Sequence, residues 1–385
     1  MQKVSMKARQ EVIEKHRLKY HRASKKEKTE ILNYVSEATG LSRDRVTRLL
    51  GSKAVKRSKK GRNKRGRKPK YGKEEIDVLT KVWYFMDNAC GKRMVAGMKT
   101  MLDALIRHKE ISISDDVQEK LCHMSASTID RLLAKERQKY NLKGKSTTKP
   151  GTLLKKNIPI RMGTEWDENQ PGYVEIDLVA HCGATTAGEY VNTLDVTDVF
   201  TGWTETQATI NKAQVHVFKA LKDIKERMPF KILGIDSDNG SEFINYDLFK
   251  YCKQEEIVFT RSRPNRKNDG CHVEQKNWSL VRRNIGYSRF EGGIAVVALN
   301  EYYQILRLYT NFFLPHMKLI EKTREGATVK KIYDDAKTPY QRLLDSSILS
   351  NAETAELNSL FLSLNPADLK RSMVKQLSVL ERVAF

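Results

Sequence analysis

Three acidic residues, Asp177, Asp238 and Glu274, have types and surroundings that suit phosphoryl-transfer chemistry. Asp177 lies within the apolar run YVEIDLVAH, where an ionised carboxylate is costly to bury unless it is paired or binds a metal. Asp238 ends the strand-like segment KILGIDSD, and Glu274 follows the loop RPNRKNDG. Two hard cations about 4 Å apart activate an attacking oxygen and stabilise a leaving oxygen, and Mg²⁺ prefers carboxylate oxygens. Three acids converging at one sheet edge would suffice to hold two such ions.

Five β-rich runs and three helices have to position these acids. The predicted strands are GYVEIDLV, EYVNTLDVTDVF, GWTETQATI, KILGIDSD and IVFTRS. Helices are predicted after the third, fourth and fifth strands, at 213–227, 246–254 and 270–285. Three strands that can form a meander, followed by helix–strand alternation, predict an α/β domain with a mixed five-stranded, ribonuclease H-like sheet.

The segment 172–283 resembles the catalytic core of the retroviral-integrase superfamily, and in particular prokaryotic insertion-sequence transposases of the DDE type. Between Asp238 and Glu274 lie 35 residues, the separation for which the family is named, and 60 lie between Asp177 and Asp238. The motif SDNGSEF matches the family at four positions: Asp238, Asn239, Gly240 and Phe243. The resemblance implies two Mg²⁺ or Mn²⁺ ions, with Asp177 bridging both, Asp238 completing one site and Glu274 the other.

The helix that carries Glu274 departs from the retroviral pattern. Asn277 stands three residues after Glu274 as in retroviral enzymes, but Trp278 and Val281 occupy the positions that are basic there. The residues expected to contact DNA phosphates from this helix are instead Lys276, Asn277, Arg282 and Arg283. The first 80 residues contain no cysteine, so the zinc-binding domain of retroviral enzymes is absent.

Other acids compete with the nominated ones. Glu175 and Asp236 each lie two residues before a nominated Asp and share its strand face. Asp195 and Asp198, in the second strand, are interpreted as turn or edge residues rather than metal ligands.

Three residues near the centre suit another metal only weakly. His181 and Cys182 are adjacent in the chain and cannot close a tetrahedral site between them, so local hydrogen bonding is the better interpretation for His181 and His272.

Two further features around Glu274 leave alternatives open. Trp278 lies one turn after Glu274, where it either stacks on an unpaired base or packs against the sheet. The loop before the helix is either a DNA grip or simply solvated, and its basic residues are Arg261, Arg263, Arg266 and Lys267.

Residues 25–51 predict a helix-turn-helix. The first helix would bury Leu32 and Val35 and end at Gly40, and Ser42 would cap the second helix. The second helix would leave four residues outward for groove and phosphate contacts: Arg43, Arg45, Thr47 and Arg48. An ordinary helical hairpin is the alternative.

A basic linker and a second helical unit follow. Residues 53–73 contain almost no apolar residues and predict a tether, in which Arg65, Arg67 and Lys68 would lie along DNA. A tether that is only solvated is the alternative. Residues 74–140 predict helices ending in a second helix-turn-helix, with Ser125 as N-cap and with Thr128 and Arg131 exposed. Residues 141–165 predict another linker.

The formal net charge of +23 indicates a polyanionic partner, since such a field attracts nucleic acid. An anionic membrane surface could exploit the same charge, but no apolar stretch reaches the roughly 18 residues of a membrane span. The basic N-terminus lacks the apolar segment of a secretory signal, and the five widely spaced cysteines indicate reduced thiols. A prokaryotic, cytoplasmic, nucleoid-associated protein is expected.

The sequence therefore predicts a modular recombinase with six segments: helix-turn-helix domain 1–52, linker 53–73, second helical DNA-binding domain 74–140, linker 141–165, catalytic core 166–292 and mostly helical region 293–385. It would bind the terminal inverted repeats of an element and target DNA as a homodimer or larger assembly. Its metal-dependent core would expose 3′-hydroxyls and join them to target DNA by transesterification. The alternatives are a ribonuclease H-like nuclease without strand transfer and a non-catalytic DNA-binding regulator.

Overall fold

The computed structural model describes residues 5–51, 70–139, 170–237, 243, 246–261, 271–326 and 328–385. The chain divides into two compact units, residues 1–69 and 70–385. No helix within these described ranges is long and apolar enough to cross a membrane.

The described part of the first unit, residues 5–51, contains three helices, α1 (Met6–Arg22), α2 (Lys25–Thr39) and α3 (Arg43–Gly51). Glu27 in the first turn of α2 accepts a hydrogen bond from the backbone N–H of Ser24 at 2.7 Å, which helps to fix where α2 begins. Gly40 ends α2 in the left-handed region at φ +66°, as its position after the last helical turn predicts. The apolar faces of the three helices meet in a small core that contains Ile13, Leu32, Val35, Val46 and Leu50.

The second unit begins with five helices: α4 (Lys73–Phe85), α5 (Gly91–Arg107), α6 (Asp115–Cys122), α7 (Ala126–Leu132) and α8 (Ala134–Lys139). Ser125 caps α7 as predicted, because its Oγ accepts the N–H of Thr128 at 3.3 Å. A Cβ on Gly91 would lie 2.2 Å from the carbonyl oxygen of Ala126, so only glycine allows α5 and α7 to approach this closely.

A five-stranded mixed sheet follows, which confirms the predicted core. Its strands are β1 (Tyr173–Ala180), β2 (Asn192–Asp198), β3 (Thr204–Thr209), β4 (Gly234–Ser237) and β5 (Val258–Arg261). The order is β3-β2-β1-β4-β5, with β1, β2 and β3 antiparallel and β1, β4 and β5 parallel.

Helices cover both faces of this sheet. The helices after the third and fourth strands are α9 (Gln214–Arg227) and α10 (Tyr246–Gln254), and α9 shares a core with Val174 and Ile176 of β1. The third predicted helix has three parts: α11 (Cys271–Lys276), a π-helical segment (Asn277–Arg282) and α12 (Arg283–Ile285). The π-helical segment packs with Val179 on the opposite sheet face, the face that Asp177 shares.

The C-terminal region contains four helices, α13 (Gly292–Phe313), α14 (Pro339–Asp345), α15 (Asn351–Ser363) and α16 (Pro366–Val383). Between α13 and α14 lies a hairpin of β6 (Leu319–Glu325) and β7 (Thr328–Tyr333). The sequence pattern predicts no strand here. Every residue of β7 is exposed, so no buried face imposes the apolar alternation by which strands are recognised.

Candidate active site

Asp177 stands on β1 where the sheet meets the helix that carries Glu274. Its carboxylate is half-buried, and Oδ2 accepts a hydrogen bond from Asn277 Nδ2 at 2.6 Å. Oδ1 accepts the backbone N–H of Leu178 at 2.8 Å. Two of the residues chosen from the sequence, Asp177 and Asn277, are therefore in direct contact.

Glu175, two residues before Asp177, fixes the start of α11. Its Oε2 accepts the backbone N–H groups of His272 and Val273 at 2.8 and 2.9 Å. These are first-turn groups that have no partner within the helix, and a carboxylate is favourable at that end of the helix dipole. Glu274 is the next residue in the chain, and its side chain is exposed. The same strand thus carries Asp177 and anchors the turn that presents Glu274.

The competing acid Asp236 also has an internal partner, since one of its oxygens accepts Thr260 Oγ1 at 2.7 Å. Asp236 lies beside Glu175 in the parallel β1–β4 register, and Ser237 lies beside Ile176. The nominated Asp238 directly follows Ser237 in the chain and lies outside the described residues, as do Asn239 and Gly240.

Asp195 is not an edge residue, and that expectation is wrong. Strand β2 lies between β1 and β3, and the Asp195 side chain is 0% exposed. Its Cα pairs with that of Asp177, so both side chains are on one face of the sheet. Burial raises the pKa of Asp195 to about 8, although Thr197 Oγ1 donates to its Oδ1 at 3.0 Å. Oδ2 of Asp195 has no hydrogen-bond partner in the part of the chain that the structure describes.

Asp198 is the last residue of β2, and its side chain holds the turn that follows. Its carboxylate accepts the N–H of Gly172 at 2.8 Å and the N–H and hydroxyl of Thr201 at 2.7 and 2.6 Å. Burial nevertheless raises its pKa to about 6.

The basic and amide residues after Glu274 are engaged inside the protein. Lys276 Nζ donates to the carbonyl of Gly202 at 3.0 Å, and burial lowers the pKa of Lys276 to about 8. The remaining contacts join the helix to its neighbours: Arg282 donates to the carbonyl of Ala180 at 2.7 Å and Arg283 pairs with Asp87 at 2.9 Å.

Trp278 is 61% exposed, so the interpretation that it packs against the sheet is wrong. The π-helical turn that begins at Asn277 places the indole in solvent one turn after Glu274. A π-turn adds a residue to the helical repeat, which rotates the following side chains relative to an α-helix, and periodicity arguments do not anticipate it.

The histidines near the centre have local roles. His181 is fully buried, and its Nε2 lies 2.8 Å from Thr193 Oγ1, which is in turn 2.7 Å from the Tyr303 hydroxyl. Burial lowers the pKa of His181 to about 3 and that of His272 to about 4. Among the described residues, no three His, Cys, Asp or Glu side chains are grouped so that they could hold a metal ion.

The predicted DNA contacts outside the Glu274 helix fall into three groups. Arg43, Arg45, Thr47 and Arg48 are all exposed on α3. In α7, Arg131 is exposed and Thr128 is half-buried. The other predicted contacts lie outside the described residues: Arg65, Arg67, Lys68, Arg263, Arg266 and Lys267.

Comparisons with known proteins agree with this fold. A family model described as an integrase core domain matches residues 167–267. An uncharacterised protein, y4rM of Sinorhizobium fredii, is 35% identical over 342 residues, which span 88% of this chain and 96% of the relative.

Similar solved structures are retroviral. One is the HTLV-2 integrase catalytic core domain in complex with magnesium, in a dimeric form, with 13% identity and a TM-score of 0.29 over 38% of this chain and 91% of that one. Another is the catalytic core domain of BIV integrase, with 16% identity and a TM-score of 0.29. The match covers 46% of this chain and 95% of that one. The family model and the relative, rather than these distant likenesses, establish that the chain carries an integrase core domain and belongs to one family with y4rM.

Proposed function

We propose that this protein is a DNA transposase that binds the terminal inverted repeats of a mobile element, exposes its 3′-hydroxyls and joins them to target DNA by transesterification. The observation that carries the proposal is the convergence of β1 and α11. Asp177 and the residue that anchors the turn of Glu274 are two residues apart on one strand. The 35-residue interval from Asp238 to Glu274 supports the same site.

The donor set suits divalent magnesium or manganese. Asp177 and Glu274 offer carboxylate oxygens, one half-buried and one exposed, and Asp238 would supply the third acid. Hard cations prefer such oxygens, and a pair of them would polarise the scissile phosphate and stabilise the leaving oxygen. Asp177 would lie between the two positions, with Asp238 and Glu274 each completing one.

The chain's own residues prepare this site. Asn277 holds one oxygen of Asp177 at 2.6 Å and so restricts the rotation of the carboxylate. Glu175 restrains the turn before Glu274. Rigid placement of ligands is the main contribution that a protein makes to phosphoryl transfer. The joining step exchanges one phosphodiester for another, so it requires no ATP.

The DNA would be bound mainly through its phosphates. The net charge of +23 favours polyanions, and α3 exposes a row of side chains that suits a DNA groove. Because two element ends must be joined in one event, a dimer or larger assembly with DNA is expected.

The test replaces Glu274 by Gln in the full-length protein. With Mn²⁺ and a labelled duplex carrying the flanking inverted repeat, we expect cleavage to fall about a thousandfold or more, since a metal ligand is lost. Binding of the same duplex, measured by fluorescence anisotropy, should change less than about twofold. Cleavage that survives in this variant would refute the assignment of Glu274.

Strand transfer separates the proposal from its alternatives. Wild-type protein incubated with pre-cleaved ends and plasmid should yield joined products. Cleavage without joined products would indicate a hydrolytic nuclease. Tight DNA binding with neither activity would indicate a regulator that retains the fold.

A further inference from the structure

A cavity of about 100 Å³ lies behind the π-helical segment. Its walls come from the turn after α4, the first turn of α5, the helical stretch 276–284, α13, the segment before β6 and α16. Charged side chains on three of these elements reach it: Asp87, Arg93, Lys276 and Arg283. The cavity is large enough for several waters or one small oxyanion.

Among the described residues that line the cavity, the one acid is Asp87, and its charge is already paired. Asp87 pairs with Arg283 at 2.9 Å and with Lys370 at 2.9 Å. Asp87 and Asn88 both have positive φ, at 53° and 57°, which is an uncommon backbone conformation for residues other than glycine. The backbone of this turn holds the Asp87 carboxylate beside two cations, Arg283 and Lys370. Because both of them already compensate its negative charge, Asp87 does little to compensate the positive charges of Arg93 and Lys276.

Arg93 and Lys276 have no acidic partner among the residues that the structure describes. Over the described ranges, neither lies within ion-pair distance of a carboxylate, and the buried Nε of Arg93 has no hydrogen-bond acceptor. Among the described residues, Lys276 Nζ donates to the carbonyl of Gly202 at 3.0 Å, and Arg93 lines the same cavity as Lys276. The same two cations contribute to the lowered pKa of His316, which also lines the cavity.

Two neighbouring cations that are partly withdrawn from water are costly without a counter-charge. The other charged groups around Lys276 do not supply one. Arg342 adds positive charge and is itself paired with Asp334 at 2.6 Å, and Asp195 is not within ion-pair distance. An anion between Arg93 and Lys276 would remove this cost, and guanidinium and ammonium donors suit phosphate oxygens.

We propose that this cavity binds a phosphate group through Arg93 and Lys276. Lys276 is two residues from Glu274, so an occupied cavity would stabilise the helix that presents that acid. Two sources share this chemistry, a backbone phosphate of DNA and free inorganic phosphate. The DNA source rests on the proposed function, whereas binding of free phosphate does not.

Inorganic phosphate binding to the full-length protein, measured by calorimetry in EDTA at constant ionic strength, tests the site. The variants are Arg93→Gln and, as matched control, Lys92→Gln, which removes an exposed positive charge from the adjacent position of α5. We expect Arg93→Gln to weaken phosphate binding about tenfold or more, since charged hydrogen bonds are lost, and Lys92→Gln to leave it unchanged. Equal weakening in both variants, or no phosphate-specific binding by the wild type, would overturn the proposal.

Two further arms keep the result interpretable. Arg93→Lys retains the charge and should bind phosphate more tightly than Arg93→Gln; equal loss in a folded Arg93→Lys protein would argue against an electrostatic site. Competition with an element-end duplex identifies the source: phosphate that weakens duplex binding in the wild type but not in Arg93→Gln indicates a DNA phosphate. Phosphate binding without competition indicates free phosphate. Neither arm measures cleavage. The phosphate result would therefore remain valid even if the protein proved not to be a transposase.

Discussion

Strands β1 and β2 are hydrogen-bonded neighbours, yet their acids have opposite environments. Asp177 and Asp195 are paired across the two strands and share one face. Asp177 is half-buried and bonded to Asn277, whereas Asp195 is fully buried with a pKa raised to about 8. On one strand the carboxylate is suited to metal binding. On the neighbouring strand, at the position paired with it, burial instead favours the protonated form.

Each of these two strands carries another acid, Glu175 on β1 and Asp198 on β2, whose carboxylate has a different role. Glu175 accepts two backbone N–H groups from the start of α11, and Asp198 accepts backbone N–H groups from Gly172 and Thr201. Both acids bind and orient neighbouring backbone. Residue type and strand membership therefore do not identify a metal ligand; the burial of the carboxylate and the groups that it contacts do.

The largest expected effect separates the paired acids. Asp177→Asn should reduce cleavage of labelled element-end DNA about a thousandfold or more, because one of the proposed metal ligands is lost. Asp195→Asn should reduce single-turnover cleavage less than about tenfold, because the asparagine resembles the protonated acid in shape and in its ability to accept from Thr197. If the two variants lose activity equally, Asp195 belongs to the metal site and the contrast between the strands fails.

A smaller effect is expected where β1 anchors α11. Glu175→Ala should weaken Mn²⁺ binding about 10- to 100-fold, the usual loss when a group that orients a ligand is removed. Glu175→Gln should bind Mn²⁺ nearly as well as the wild type, because its amide oxygen still accepts the N–H groups of His272 and Val273.

Electron paramagnetic resonance of Mn²⁺, together with the melting temperature, distinguishes positioning from stability. A lower melting temperature in Glu175→Ala with unchanged Mn²⁺ affinity would show that Glu175 only stabilises the fold. Glu274→Gln, measured in parallel, should also weaken Mn²⁺ binding; if it does not, the metal-site proposal itself is at fault.

The sequence predicts the sheet and its helices because these depend on local patterns. Strand β1 and helix α10 follow directly from apolar runs and periodicity, and Ser125 and Gly40 mark a helix start and a helix end. The position of Asp177 on its strand follows in the same way.

Contacts between distant parts of the chain have no such signal. Glu175 and His272 are separated by 97 residues, and the Arg283–Asp87 pair joins parts of the chain still further apart. The burial of Asp195 depends on the inner position of β2 in the sheet and on α11 packing against β2, and the exposure of Trp278 depends on the π-helical segment. Each is set by tertiary packing, which overrides the local propensities from which a single sequence is interpreted.

The smallest effect concerns the pH dependence of stability. The pKa of Asp195 rises from 3.8 to about 8 on folding, so between these values the folded protein keeps a proton that the unfolded chain has lost. Its contribution to stability is complete below pH 3.8 and is lost as the pH rises through 8. Within that window one proton corresponds to a fall of about 1.4 kcal/mol per pH unit in the free energy of unfolding.

Asp195→Asn removes this proton while the amide oxygen can still accept from Thr197. Urea unfolding in EDTA between pH 5 and 9 gives the free energy of unfolding as a function of pH. We expect its slope against pH to be less negative in the variant than in the wild type, by an amount that corresponds to at most one bound proton. The contribution of Asp198, whose pKa is raised to about 6, is common to both proteins and cancels in the difference. Identical slopes would mean that Asp195 is ionised in the folded protein, and the opposite environments of β1 and β2 would then have to be reassigned to hydrogen bonding alone.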